Sequence, residues 1–256
     1  MTKALVNIPS PALAQCELTF IERNAIDLER ARTQHDAYVS ALRSFNVDVE
    51  TLEVNTGCPD GVFVEDVAVI FDELAVITTM GSPSRRGELA AMRRAIARHR
   101  EVVDLALPAT LEGGDVLRIG RTLYVGDTSR TNPAGIEALA EVAKSLGYKV
   151  VPVKVPGCLH LKTCITALDD ETCVVNKNWL DIAPFQSLQL IDVAPSEPWG
   201  ANVLRLREGL VLNASTPETN EKIRLLGYKT TEVNISEFGK AEAGLTCMSL
   251  LFGGPT

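Results

Sequence analysis

The sequence predicts an α/β fold built from five strand–helix units that close on themselves as a pseudo-symmetric propeller. Three observations carry this. Short apolar strands come in pairs split by a few polar residues, and each pair is followed by a helical stretch and one further strand. The pattern recurs along the chain from VFVEDVAVI to KTTEVNI. It leaves one strand over at each end, which together make a fifth unit split between the termini.

At the start, ALVNI is a strand with no partner before it. The helix over Ile26 to Ser44 and the strand VDVETLEV continue that unit. VFVEDVAVI and ELAVITT form the next strand pair, with a helix from Arg85 to Arg100. DVLRIG and TLYVG are followed by the helix PAGIEALAEVAKSLG and the strand KVVPVKV. Ile136, Leu139, Ala140, Ala143 and Leu146 recur at helical spacing. TCITALD and TCVVNK open the next unit, with a weaker helix near Ile182 to Leu188 and the strand LQLIDV. ANVLRLR and GLVLNAS lead to the helix PETNEKIRLLG and the strand KTTEVNI. LTCMSLLF closes the chain as a strand. Thr131-Asn132-Pro133 and Ser215-Thr216-Pro217 pair a capping side chain with a first-turn proline. Gly147 and Gly227 stand where a helix end needs a left-handed residue. The expectation is a single domain over residues 1–256.

Composition narrows the function. The 256 residues are 46% hydrophobic and 23% charged, which excludes a disordered chain, collagen and a coiled coil. The formal net charge of −8 argues against nucleic acid or an anionic membrane as partner. The first twenty residues lack a basic segment followed by an apolar run, so no signal peptide is expected. None of the six cysteines forms C-x-x-C, which fits reduced thiols in a cytoplasmic protein. Cys158, His160 and Cys164 fit no standard zinc spacing, and no metal is expected.

Chemistry is expected where polar residues enter apolar strands, because an unpaired buried charge is costly. Glu65 and Asp66 interrupt VFVEDVAVI, and Glu112 and Asp115 flank the glycine pair of LEGGDVL. His160 precedes a strand in GCLHLKT, and Cys247 lies in the last strand. Each opens or enters a unit, and in a closed propeller such positions converge on the axis. A thiol, an imidazole and several carboxylates together suit a planar cation. Paired carboxylates accept a guanidinium through charge-assisted hydrogen bonds. A thiolate attacks its carbon, and a histidine protonates the departing amine and later activates water. The cationic substrate or a protonated His160 would stabilise the thiolate. Arg85-Arg86 and Arg130 occupy the same loop position in two units, where arginine grips a carboxylate. Such a site would select a guanidino amino acid.

These residues resemble those of the dimethylarginine dimethylaminohydrolase family in the pentein (guanidino-modifying) superfamily. The matching segments are PDGVFVEDVAVI, GSPSRRGE, LEGGDVL, SRTN, LHLKT, NEKIRLLGY and GLTCMSL, in order along nearly the whole chain. The resemblance implies the pentein fold, Cys247 as nucleophile, His160 as general acid and base, and Glu112 as its carboxylate partner. It implies Glu65 and Asp66 as guanidinium acceptors and Arg85 and Arg130 as carboxylate binders. It adds Asp60 near the amino-acid end of the substrate and Leu18 in a lid loop. The implied reaction converts asymmetric dimethylarginine or monomethylarginine to citrulline and a methylated amine, with no cofactor. The implied partner is a small guanidino amino acid; a homodimer paired through an outer strand or helix is the other partner the sequence allows. Some family members carry Asp at the position of Glu112, and many carry Asp-Gly at Glu242-Ala243. Cys16, in the lid segment, receives no role. The alternatives are an arginine deiminase, an amidinotransferase, or a non-catalytic binding protein of the same fold.

Overall fold

The computed structural model describes residues 2–253. Among these residues, fifteen strands form five three-stranded sheets. In chain order they are β1 (Lys3–Asn7), β2 (Asp48–Leu52), β3 (Ala68–Ile70), β4 (Leu74–Ile77), β5 (Glu101–Asp104), β6 (Val116–Ile119), β7 (Thr122–Asp127) and β8 (Lys149–Lys154). They continue as β9 (Ile165–Ala167), β10 (Thr172–Val175), β11 (Gln189–Asp192), β12 (Leu204–Leu206), β13 (Gly209–Asn213), β14 (Thr230–Val233) and β15 (Leu250–Phe252). Every sheet has one plan. The first strand runs antiparallel to the second, and the third returns parallel to the second. A parallel return needs a crossover, which is why a helical segment separates the second strand from the third.

The split unit forms as expected. β1 is the central strand of a sheet in which β15 pairs with it antiparallel and β2 parallel, so Ala4 faces Leu251 on one side and Val49 on the other. The first strands β3, β6, β9, β12 and β15 all line a single cavity of about 80 Å³. They therefore surround one axis, as the blades of a propeller do. The crossovers are α1 (Leu28–Ser44), α2 (Leu89–Ile96) and α3 (Pro133–Ser145), a short segment after β10, and a last helix, Pro217–Arg224. Apolar faces pack between neighbouring blades, as where Leu139 and Ala143 of α3 meet Val76 and Val125. Asn132 caps α3 by accepting the Gly135 amide at 2.8 Å. Gly147 and Gly227 end helices with φ of 78° and 86°.

Five expectations are corrected. VFVEDVAVI is not one strand: Val64–Val67 is a 3-10 turn and only Ala68–Ile70 pairs. LTCMSLLF likewise begins as the 3-10 turn Thr246–Met248, so Cys247 sits ahead of the strand. A sheet would place these polar side chains among apolar neighbours, whereas a tight turn aims them at partners. The helix expected from Arg85 starts as a 3-10 segment, Pro83–Glu88, and becomes α-helical only at Leu89. The segment near Ile182 shortens to the 3-10 turn Ala183–Phe185. Thr216 does not cap its helix with its side chain; the Glu197 carboxylate accepts the Glu218 and Thr219 amides at 2.9 and 2.7 Å instead.

Candidate active site

The tight turns that open the blades gather at one end of the axis. The turn Val64–Val67 carries Asp66, Glu112 precedes the turn Gly113–Asp115, and His160 precedes the short helix Leu161–Cys164. Cys247 lies in the turn Thr246–Met248. Asp60, Asp66, Arg85, Glu112, Arg130, His160 and Cys247 line one cleft. Two residues singled out from the sequence do not line it. Leu18 packs into an apolar cluster with Ala243 and Cys247. Glu65 turns toward the axial cavity, where Lys162 Nζ lies 2.6 Å away and the Thr246 hydroxyl donates at 2.8 Å. The adjacent carboxylates thus point in different directions.

The glycine pair makes the close packing feasible. A Cβ on Gly114 would stand 2.6 Å from His160 Nδ1 and 2.8 Å from Asp66 Oδ1. His160 Nε2 lies 2.7 Å from Glu112 Oε2, and Nδ1 lies 3.8 Å from Asp66 Oδ1. Burial works against the imidazolium, but the carboxylates of Asp66, Asp115 and Glu112 prevail and lift the ring to about 10. The ring is therefore cationic at neutral pH. Asp115 fixes its backbone by accepting the Leu161 amide at 2.9 Å and the hydroxyls of Thr128 and Thr131 at 2.7 and 2.6 Å. Burial raises Asp115 to about 6.

Asp66 accepts Arg85 Nη1 at 2.6 Å and the Gly114 amide at 3.1 Å. Burial opposes its charge, but His160 and Arg85 outweigh that and hold it below the usual carboxylate range. Arg85 also reaches Glu88, at 3.0 Å, and the Phe63 carbonyl, at 3.0 Å. Arg130 Nη2 lies 3.2 Å from Glu17, and Nη1 lies 3.6 Å from Glu112. Among the described residues the Asp60 carboxylate receives two long bonds, both from the Glu17 amide at 3.3 Å, and burial pushes its carboxyl up. The Cys247 sulfur accepts the Gly244 amide at 3.4 Å. Burial, with Glu65 and Asp66 nearby, pushes this thiol well above its ordinary value.

A strap formed by residues 10–27 reaches the cleft through Glu17. The Thr19 and Phe20 amides donate to Glu242 at 2.8 and 3.0 Å. Glu242 adopts φ 60°, so the left-handed position of this loop falls on it and leaves Ala243 unstrained. The cavity remaining in the cleft is about 20 Å³, space for about one water. Ligand atoms of Asp66, Glu112 and His160 lie within 4.8 Å of one another, a spacing that would also admit a cation.

Four residues of this site were given no role in the sequence reading. Glu88 stands three after Arg85, the spacing of a helical ion pair, and Lys162 follows His160 by two in LHLKT. Those were usable signals. Glu17 and Glu242 sit in irregular segments with no pattern around them.

Five blades around an axis that gathers a thiol, an imidazole and carboxylates at one end define a pentein, the guanidino-modifying class of α/β propeller. A family profile described as "N,N dimethylarginine dimethylhydrolase, eukaryotic" matches residues 16–187. The chain is 43% identical to the N(G),N(G)-dimethylarginine dimethylaminohydrolase of Streptomyces coelicolor, over 97% of this chain and 96% of that one. It is 33% identical to the Pseudomonas aeruginosa enzyme of the same name, over 88% and 90%. A solved structure of the Pseudomonas aeruginosa protein, a mutant complexed with citrulline, superposes with a TM-score of 0.93 at 31% identity, covering 98% of both chains. The chain belongs to the dimethylarginine dimethylaminohydrolase family.

Proposed function

We infer that this chain hydrolyses Nω-methylated arginines, asymmetric dimethylarginine and monomethylarginine, to citrulline and dimethylamine or methylamine. Residues 1–256 act as one catalytic domain. The observation that carries this reading is a thiol, an imidazolium paired with Glu112, and Asp66 lining the same cleft as Arg130.

In the resting cleft the thiol is neutral and the imidazole charged. Arrival of a guanidinium between Asp66 and Cys247 brings a cation to the sulfur, which favours loss of its proton to solvent. The thiolate then forms a bond to the guanidinium carbon. His160 gives a proton to the substituted nitrogen, the carbon–nitrogen bond breaks, and the amine departs. The neutral ring next takes a proton from water as its oxygen attacks the thiouronium carbon. The carbon–sulfur bond breaks and the remaining hydroxyl proton passes to solvent, releasing citrulline and restoring thiolate and imidazolium. The Nε2 proton is committed to Glu112, so Nδ1 carries the transferable one. No step calls for a cofactor.

Asp60, whose carboxylate meets no cation within hydrogen-bonding distance among the described residues, suits the substrate ammonium. Arg130 suits its carboxylate, and Arg85 holds Asp66 while adding positive charge behind it. Glu65, tied to Lys162, lines the axial cavity, and Leu18 packs against the same apolar cluster as Cys247. A reducing cytoplasm suits the six free cysteines. Among the described residues no helix is long and apolar enough to cross a membrane.

Incubating the protein with asymmetric dimethylarginine and with arginine, and measuring citrulline, tests the assignment. Citrulline should form from the methylated substrate. Preferential release of ammonia from arginine would make the chain a deiminase.

A further inference from the structure

Glu17 is a carboxylate that the reaction above does not use, yet it reaches into the cleft from the strap. It accepts the Ser82 hydroxyl at 2.6 Å and the Ser84 hydroxyl, and lies 3.2 Å from Arg130. Its own amide is held by Asp60, and the Thr19 and Phe20 amides are held by Glu242. These anchors on both sides set the side chain in place. Burial opposes its charge, but the two hydroxyls and the charges of Arg130 and Arg85 keep its carboxyl below the usual range. It is an anion at neutral pH. Arg85 is already committed to Asp66 and Glu88. Arg130, Ser82 and Ser84 therefore form a pocket for one carboxylate, and the chain's own Glu17 fills it.

We propose that Glu17 is a specificity-determining residue: it competes with the substrate's carboxylate for the Arg130–Ser82–Ser84 pocket and so sets the affinity for guanidino amino acids. The inference rests on the methylarginine reading above. One anion must leave before another enters, because two carboxylates repel on one guanidinium and the cleft has space for about one water. A guanidine without a carboxylate leaves Glu17 in place. Displacing Glu17 breaks a one-third exposed ion pair and two hydroxyl bonds, equivalent to about three- to tenfold in affinity.

The test compares wild type with Glu17→Gln and Glu17→Ala. Steady-state kinetics use asymmetric dimethylarginine and its decarboxylated analogue; calorimetry uses L-arginine and agmatine. In both variants KM for dimethylarginine and Kd for arginine should fall about three- to tenfold. The turnover number should move less than about twofold, since Glu17 has left the pocket before chemistry begins. The carboxylate-free compounds should bind as they do to wild type. Unchanged or raised KM and Kd, or an equal shift with and without the carboxylate, overturns the role of Glu17. Failure of the wild type to make citrulline refutes the functional reading instead, and the arginine–agmatine comparison still decides the competition.

Discussion

Replacing Glu112 by Gln keeps the shape of the His160 partner and removes its charge. The 2.7 Å contact is wholly buried on the Glu112 side. A hydrogen bond between charged groups is worth about 1.5–3 kcal/mol, and one pKa unit corresponds to about 1.4 kcal/mol, so the ring should lose about one to two units. His160 should titrate near 10 in the wild type. In the variant the value falls to about 8 to 9. The raised value also stabilises the fold. That contribution is complete below the unfolded value of 6.5 and is lost as pH rises through about 10. Its full size is on the order of 5 kcal/mol. The chain has only three histidines, so NMR of histidine-labelled protein between pH 5 and about 11 reads the ring directly. Urea denaturation over the same range should show the alkaline loss of stability beginning at lower pH in the variant. A wild-type ring titrating near 6.5, or a variant titrating with the wild type, would refute the electrostatic account.

Three further outcomes follow from contacts outside this pair. His35 is buried among the Tyr38 and Phe238 rings with Nε2 unpartnered, and burial lowers it to about 4. Because the unfolded ring takes up its proton first, stability should fall by about 3 kcal/mol as pH drops from 6.5 toward 4, and His35→Leu should remove most of that slope in acid denaturation curves. Asn132→Ala removes the α3 cap and the bond from the Thr110 amide, and should cost about 1–2 kcal/mol in urea denaturation; no change would show that the cap is replaced by water. Lys162→Met leaves Glu65 with only Thr246 and should cost about 3 kcal/mol at pH 7, partly regained in the double variant with Glu65→Gln; a loss the double variant does not repair would assign Lys162 a different role.

Much of the fold was legible because it is local. Strand pairs, the Asn132 cap and the glycines at 147 and 227 depend on neighbours within a few residues, and counting units left ALVNI and LTCMSLLF to meet across the termini. What was not legible depends on distant partners. VFVEDVAVI reads as a strand until Lys162 and Arg85 draw Glu65 and Asp66 to different sides, which bends it into a turn. The same reason hid the setting of Arg85. Its position in the loop suggested a free guanidinium, but Asp66 and Glu88 bind it from within the fold. Glu17 acts through Ser82, Ser84 and Arg130, a juxtaposition that only the folded strap creates.

Attack by the Cys247 sulfur on the guanidinium carbon is the step on which the functional account turns. Protein quenched in acid while turning over asymmetric dimethylarginine, then digested and weighed by mass spectrometry, reports it directly. The peptide containing Cys247 should gain the mass of the substrate less dimethylamine, and Cys247→Ser should show neither that gain nor turnover. Citrulline formation at an undiminished rate in Cys247→Ser, or the adduct on another residue, would contradict it.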